Sequence, residues 1–298
     1  MPIKFRTELS PERLRGFISH KSRLLLLGSC FSDEIGLRLQ HEGFDAVVNP
    51  CGTLYNPESI AMTLQNFIAA QQPQAFIESP DGMWHSFYHH SHLSANSRLQ
   101  LEHNISKALA IGHDAAMHAT HILVTFGTSY IFRHKQLDIT VANCHKLPAA
   151  EFERYRLDVD HIVTVWDRLI RLILSVNPTA KVIFTVSPIR HLADGLHGNT
   201  ISKSTLHLAV DRIIHANPQC ALYFPAYEAL VDDLRDYRFY AADLTHPSPV
   251  GADYVYDLFK NSYMDDATMH HAQLALKEWK RSAHRPITDT QNLSHNDL

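Results

Sequence analysis

The sequence lacks several features that mark whole classes of protein. It has only four cysteines in 298 residues, and no C-x-x-C pair supports a zinc-ribbon or thioredoxin-like protein. Its formal net charge is −4, so no basic face is implied for nucleic acid. No apolar run approaches the roughly 18 residues of a membrane span. The charged N-terminus lacks the apolar core of a secretion signal. We therefore expect a cytoplasmic protein without a nucleic-acid partner, of open oligomeric state.

Apolar segments of strand length alternate with longer segments of helical period along most of the chain. Because 45% of the residues are apolar, a large folded core is expected. The apolar positions between 159 and 173 follow helical spacing, and an Asn-Pro pair at 177–178 ends that helix. Strand–helix alternation predicts a parallel sheet with helices on both faces. The predicted strands are 23–27, 44–48, 121–126, 181–186 and 221–224.

Three regions depart from this alternation. Residues 81–96 are rich in aromatic residues and histidine and are interpreted as an insertion, whereas 130–143 alternates like a β-hairpin. Residues 265–281 predict an amphipathic helix, followed after Arg285 by a polar tail. We therefore divide the chain into a catalytic domain at 1–262 and a C-terminal helix with its tail at 263–298.

The strongest chemical signal is the DLTH segment at 243–246. Asp243 can bond one ring nitrogen of His246 and leave the other free to take a proton from a nucleophile. A polar loop that caps a helix is the alternative. The segment follows the last predicted strand and precedes a long helix, which favours the catalytic interpretation.

Turns after the first three predicted strands supply the other candidates. GSCFS at 28–32 follows the first strand, where a nucleophile would lie exposed at a helix N-terminus. An ordinary turn with Ser32 as helix cap is the alternative. After the second strand, Gly52 can offer a backbone N–H to an oxyanion. After the third strand, Ser129 can supply a further oxyanion donor by the same geometry, and Thr128 is assigned to substrate binding.

Together these motifs resemble the SGNH/GDSL hydrolases, and more closely the GSCFA family within them. The resemblance implies a three-layer α/β/α, flavodoxin-like fold with a five-stranded parallel sheet and insertions. It also implies an esterase that works through an acyl-enzyme, with a small-molecule or carbohydrate ester as substrate and no cofactor. The resemblance spans roughly residues 20–260, and its motifs are GSCFS at 28–32, NPCGTLYNP at 49–57, NCHK at 143–146, SPIRH at 187–191 and DYRFY at 236–240.

The superfamily pattern Gly-Asp-Ser places the nucleophile two residues after the glycine. That position here is Cys30, and Ser29 stands in place of the aspartate. Either Cys30 attacks as a thiol or the turn is shifted and Ser29 attacks. A thiol at a helix N-terminus beside an imidazole should have a lowered pKa, which favours Cys30, although Asp33 opposes this effect.

Several further side chains are candidates for lining the site. Asn143 is assigned to the oxyanion site as a substitute for the superfamily's third-motif asparagine, and the alternative is a turn residue. His145, Lys146, Arg190 and His191 are assigned to substrate binding, and Arg190 suits an anionic group. The histidines at 85, 89, 90 and 92 lack the helical i, i+4 pairing of metalloprotease motifs, so we assign no metal.

Three functions remain open from the sequence. The first is a hydrolase of a small ester, such as an acyl group on a sugar. The second is an acyltransferase in which a sugar hydroxyl replaces water. The third is a ligand-binding protein that has kept the fold without catalysis, which the missing serine and asparagine support and the Asp243/His246 pair opposes.

Overall fold

Ten strands and eight α-helices make up residues 6–283, the part of the chain that the computed structural model describes. The strands are β1 Arg23–Gly28, β2 Asp45–Val48, β3 Phe76–Glu78, β4 Trp84–Ser86, β5 His121–Phe126, β6 Tyr130–His134, β7 Ile139–Val141, β8 Phe152–Arg156, β9 Lys181–Val186 and β10 Ala221–Tyr223. The helices are α1 Cys30–His41, α2 Pro57–Ala69, α3 Arg98–His118, α4 Val159–Val176, α5 Gly195–Ala216, α6 Ala226–Glu228, α7 Pro249–Tyr263 and α8 Asp266–Ala283.

A five-stranded sheet in the order β10-β9-β5-β1-β2 forms the centre of the molecule. Every neighbouring pair in it is parallel. These are the strands predicted from the sequence, with ends shifted by one residue in three of them. The order is that of flavodoxin-like folds, in which ligands bind beyond the carboxyl ends of the strands. The predicted fold class is therefore confirmed.

Alternating side chains of β1 explain why the sheet carries helices on both faces. Leu25 and Leu27 pack into an apolar core with residues of α2, α3, α4 and α5. Leu24 and Leu26 pack on the opposite face with residues of α1, α7 and α8. A strand buried on both faces needs the unbroken apolar run that β1 has. The result is the predicted three-layer α/β/α arrangement.

Helix α4 illustrates how local sequence sets these layers. The Asp158 side chain accepts a hydrogen bond of 2.7 Å from the His161 N–H, which caps the helix N-terminus. Its buried stripe includes Ile162, Trp166 and Ile170, at the spacing of one helical face. The helix ends at Val176, before Asn177.

Two antiparallel insertions extend from the central fold. The first pairs β3 with β4 and covers part of the predicted insertion at 81–96. The second is a three-stranded sheet in the order β7-β6-β8, which confirms the predicted hairpin at 130–143. Strand β8 was not predicted because four of its five residues are exposed, so the strand has no alternating apolar pattern.

The C-terminal helix α8 confirms the amphipathic helix expected at 265–281. Its Ala272 lies in the same apolar cluster as Tyr263 of α7. The tail expected after Arg285 lies outside the described residues. Across residues 6–283, none of the helices combines the length and apolar character needed to cross a bilayer.

Candidate active site

A tight turn joins β1 to α1. Gly28 has φ +139°, and a Cβ there would lie 2.2 Å from the Thr125 carbonyl oxygen. Only glycine fits such close backbone contact at this φ. The next residue, Ser29, donates its N–H to the same carbonyl at 3.2 Å. The turn is therefore held against the end of β5.

The two candidate nucleophiles differ in where their side chains lie. Ser29 is 1% exposed, and its hydroxyl accepts a 3.4 Å hydrogen bond from the Phe31 N–H as the cap of α1. Cys30 is partly exposed and lines a cleft. Ser32 is not the helix cap considered above, because its hydroxyl bonds Thr125 Oγ1 at 2.8 Å. The placement favours Cys30 over Ser29 as the group that meets a ligand.

Burial raises the pKa of the Cys30 thiol to about 11, with a further contribution from the Asp33 charge. The lowered pKa expected from the helix N-terminus is therefore wrong, because desolvation of the thiolate outweighs the favourable backbone contacts. At neutral pH the sulfur keeps its proton. Attack by this thiol requires a base that takes the proton as the new bond forms.

The first and second sequence motifs are joined by a hydrogen-bond network around Asp33. Its two carboxylate oxygens accept from Asn49 Nδ2 at 2.7 Å and from Thr53 Oγ1 at 3.0 Å. Asn49 Oδ1 in turn accepts the Gly28 N–H at 2.9 Å. The NPCGT segment therefore supports the turn beneath Cys30.

The Asp243–His246 pair forms as the spacing predicts. Asp243 Oδ2 lies 2.5 Å from His246 Nδ1, while Oδ1 accepts the backbone N–H groups of Thr245 and His246 at 2.9 and 3.0 Å. These three contacts hold the pKa of the Asp243 carboxyl well below its usual range. With Nδ1 bound to the carboxylate, His246 Nε2 is the nitrogen left for proton transfer.

Arg190 anchors this loop from the opposite side. Its guanidinium lies over the rings of Tyr240 and Tyr237, at 4.4 and 5.1 Å from their centroids. One guanidinium N–H donates to the Leu244 carbonyl at 3.3 Å, inside the segment that carries Asp243 and His246. Arg190 therefore ties the proposed acid–base pair to the DYRFY motif, besides lining the cleft.

Cys30 and His246 line the same cleft at the carboxyl end of the sheet. Its volume is about 440 Å³, within the roughly 300–1,000 Å³ of typical small-molecule sites. Thr128, Arg190 and His191, all assigned to substrate binding from the sequence, also line it. The remaining lining residues are Tyr55, Asn56, Tyr130, Phe132, Val141, Ala142, Arg154, Ile189, Leu192, Ala193 and Asp194.

The predicted oxyanion donors do not fit this geometry. The Gly52 N–H already donates to the Asn49 carbonyl at 2.7 Å, and Gly52 packs beneath His90. Ser129 is fully buried, and its N–H donates to Ser202 Oγ at 2.8 Å. By contrast, the Cys30 N–H stands in the first turn of α1, where backbone N–H groups have no partner within the helix. The amide of Cys30 is the better candidate donor.

Backbone amides after β5 are also occupied. The N–H groups of Gly127 and Thr128 both donate to the Tyr55 carbonyl, at 2.8 and 2.9 Å. Thr128 contacts the cleft with its side chain, whose hydroxyl lies 3.1 Å from Ser202 Oγ. The segment after β5 therefore contributes a side chain to the cleft, and its Gly127 and Thr128 N–H groups are already bonded.

The NCHK motif forms a turn outside the cleft lining. Asn143 Oδ1 accepts the His145 N–H at 2.8 Å, and His145 Nε2 lies 2.8 Å from the Ser86 carbonyl. His145 also stacks on His85 with 4.5 Å between ring centroids. Lys146 is exposed beside it. These contacts fit the turn interpretation of Asn143 and bring neither His145 nor Lys146 to the cleft.

The clustered histidines bond neighbouring hydroxyls. His85 Nδ1 lies 2.6 Å from Ser94 Oγ, and His89 Nδ1 lies 2.7 Å from Ser86 Oγ. Burial lowers the pKa of His89 to about 4, so its ring is neutral. Over residues 6–283, no group of three or more His, Cys, Asp or Glu side chains is placed to hold a metal ion.

Two charged side chains, one in the cleft lining and one beneath it, were missed from the sequence. Arg154 of β8 lines it and stacks on Tyr130 at 4.4 Å while pairing with Asp194. Lys203 of α5 is 2% exposed and lies below the floor. No sequence pattern marks either residue, because an exposed strand and a buried lysine both depend on tertiary packing.

The fold and cleft define an α/β protein with a candidate nucleophile turn after the first strand and an Asp–His pair near the end of the sheet domain. The model of the GSCFA family matches residues 23–259. The chain belongs to the GSCFA family. No curated protein matches the sequence.

Solved structures with a similar fold include two carbohydrate esterases. One is the family 3 carbohydrate esterase from Talaromyces cellulolyticus, at 10% identity and TM-score 0.40, covering 86% of this chain and 99% of that one. The other is the family 3 carbohydrate esterase of Clostridium thermocellum, also at 10% identity and TM-score 0.40, covering 85% and 98%. Both likenesses are too remote to identify an activity for this chain.

Proposed function

We propose that this protein is an esterase of the SGNH type that hydrolyses an acyl ester through an acyl-enzyme on Cys30. One observation carries the proposal: Cys30 and His246 line the same cleft, and His246 is held by Asp243. A neutral thiol and an oriented imidazole in one cleft are the components that nucleophilic acyl transfer needs.

In this mechanism Cys30 Sγ attacks the acyl carbonyl carbon while its proton passes to His246 Nε2. Asp243 stabilises the imidazolium that forms and fixes the ring orientation. The Cys30 N–H donates to the developing oxyanion. His246 then protonates the leaving alkoxide, which departs as an alcohol and leaves a thioester on Cys30.

Water completes the cycle by attacking the thioester with His246 as base. The acid is released, and the Cys30 thiol regains its proton from His246. The raised pKa of Cys30 fits this order of events, because proton removal then coincides with attack and does not precede it. The same site performs acyl transfer when a sugar hydroxyl takes the place of water.

The test is hydrolysis of a panel of chromogenic esters, from acetyl to longer acyl groups, together with acetylated sugars. We expect turnover by the wild-type protein and none by Cys30→Ala. Cys144→Ala is the matched control, since Cys144 is another partly exposed free cysteine that does not line the cleft.

Other outcomes separate the rival functions. Products acylated on an added sugar, formed at the expense of free acid, identify a transferase. Saturable binding of the esters without turnover identifies a ligand-binding protein and contradicts the proposal. Turnover that survives Cys30→Ala moves the nucleophile away from Cys30.

A further inference from the structure

Lys203 is a buried lysine directly below the cleft. It lies on α5, is 2% exposed, and donates from Nζ to the Gly127 and Ser187 carbonyls at 2.7 and 2.6 Å. Gly127 follows β5 and Ser187 follows β9. The amine is thus fixed where two central strands end, on the side of the sheet that carries the candidate active site.

Gly127 places this amine next to the nucleophile turn. A Cβ on Gly127 would lie 3.3 Å from the Ser29 Cβ and 3.2 Å from His191 Nε2. The residue whose carbonyl Lys203 holds therefore packs against both the turn before Cys30 and a cleft-lining imidazole. Lys203 Nζ bonds the Gly127 carbonyl, so the amine and the Cys30 turn contact the same glycine.

A buried ammonium is unfavourable unless a negative group compensates it. Burial lowers the pKa of Lys203 to about 7, and among residues 6–283 the one charged group that raises it is Cys30. The influence is mutual, since Lys203 lowers the pKa of Cys30. Each group is costly to ionise alone and less costly to ionise beside the other.

The other titratable groups facing Lys203 do not neutralise it. His191, in the loop after β9, has its pKa lowered to about 4 by burial, with Lys203 among the further causes. His207, one turn further along α5, has its pKa lowered chiefly by burial and also by Lys203. Both rings are uncharged at neutral pH. Of the groups around Lys203, Cys30 is the one that becomes negative in the proposed reaction.

We propose that Lys203 is a positioning residue whose buried ammonium is the counter-charge of the negative charge that develops on Cys30 Sγ during attack. The inference rests on the proposed function, in which Cys30 is the nucleophile. As the S–H bond breaks, the proton goes to His246 while the electron pair of that bond forms the new bond between sulfur and the carbonyl carbon. Lys203 keeps its protons throughout and remains bonded to the Gly127 and Ser187 carbonyls.

The alternative role for Lys203 is purely structural, as a tie between two carbonyl groups. Lys203→Gln separates the two, because glutamine keeps an N–H donor and removes the charge. Lys203→Arg keeps a charge, and Lys203→Met removes both charge and donor. Lys181→Met is the matched control, since Lys181 also donates to a backbone carbonyl, that of Gln219, but at the opposite end of β9.

The measurement is the rate of Cys30 alkylation by iodoacetamide as a function of pH, read on the Cys30 peptide by mass spectrometry. We expect Lys203→Gln and Lys203→Met to slow alkylation at pH 6, where the Lys203 amine carries its proton, by about tenfold, the effect of roughly one pKa unit, and to move the profile to higher pH. Lys181→Met should follow the wild-type profile, and Lys203→Arg should lie closer to wild type than Lys203→Gln.

An unchanged alkylation profile in a folded Lys203→Gln protein would overturn the inference, as would equal slowing by Lys203→Arg. The readout needs no substrate, so it fails independently of the proposed function. If the Lys203 variants slow alkylation but the protein hydrolyses no ester, the role of Lys203 is supported and the proposed esterase function is rejected. If the protein hydrolyses esters but the alkylation profile does not shift in the variants, the esterase function is retained and the role of Lys203 is rejected.

Discussion

The candidate nucleophile turn and the candidate acid–base loop both line one cleft, yet they are built in opposite ways. Ser29 is 1% exposed, and the turn around it is bonded to β5 and to the Asp33 network. Asp243 and His246 have side chains about half exposed, at 49% and 50%, and are held mainly by contacts within their own loop. The buried side is fixed by contacts with other elements, whereas the exposed side is open to solvent.

This difference has an energetic consequence. Burial makes the Cys30 thiolate unfavourable, so attack by Cys30 depends on neighbouring groups that accept its proton or offset its charge. Exposure leaves the Asp243–His246 pair well hydrated, and a solvent-exposed polar contact of this kind adds little to stability. We expect substitutions on the buried side to affect both activity and folding, and those on the exposed side to affect activity almost alone.

The largest effect on activity is expected from removing the Cys30 sulfur, the proposed reactive atom of the buried turn. We expect Cys30→Ala to lower kcat/KM for a hydrolysed ester by at least about 10³-fold, because no acyl-enzyme forms. Ser29→Ala should retain a measurable rate, with a stability loss of roughly 1 kcal/mol from the missing helix cap. Steady-state kinetics and denaturant unfolding check both. The opposite pattern of activities would assign the nucleophile to Ser29.

On the exposed side, Asp243→Asn tests the acid–base pair. We expect kcat to fall by about 10²–10⁴-fold because the amide no longer stabilises the imidazolium or fixes its orientation. The melting temperature should change little. Asp253→Asn is the control, as it removes another exposed carboxylate that bonds Arg38. Equal activity of the two variants would exclude Asp243 from the mechanism.

Arg190 offers the next test because it links the exposed loop to the buried Tyr240 ring. Arg190→Met should lower kcat by about tenfold, since a small displacement of His246 weakens proton transfer. Arg238→Met is the control, because Arg238 stacks on Phe239 at 5.2 Å but is not part of the cleft lining. A change confined to KM would instead assign Arg190 to substrate binding.

Stability at low pH tests burial elsewhere in the molecule, without any substrate. Burial lowers the pKa values of His89 and His121 to about 4, below the ordinary 6.5 of the unfolded chain. The unfolded state therefore binds protons first, and stability is lost as pH falls from 6.5 towards 4. We expect about 1–2 kcal/mol per histidine at pH 5.

Chemical unfolding at pH 7 and pH 5 measures this loss. His121→Gln should reduce the difference between the two pH values, whereas His118→Gln, at an exposed site, should leave it unchanged. A pH difference insensitive to His121→Gln would contradict the assignment of a neutral buried ring.

The central sheet was predictable because its strands are short, apolar and separated by regular helices. The Asp243–His246 contact was predictable too, since three-residue spacing in one loop leaves few other arrangements. Strand β8 was not, because its exposed residues FERYR carry no periodic pattern. The burial of Lys203 could not be predicted for a related reason. It results from β5 and β9 ending at the same place.

The predicted oxyanion donors show that the order of motifs along the chain does not determine which backbone N–H groups are free. Gly52 and Ser129 stand in the expected order, but whether an N–H is free depends on its other contacts. The nearby Asn49 carbonyl and Ser202 hydroxyl take those two N–H groups. The pKa of Cys30 was likewise misjudged because helix position is local, whereas desolvation depends on the whole fold.

The most direct test of the central claim is covalent labelling with an activated acyl ester, followed by peptide mapping. The account predicts one label on Cys30, absent from Cys30→Ala and formed more slowly in His246→Ala. A label on Ser29, or no label on the peptide that carries residues 28–32, would contradict it.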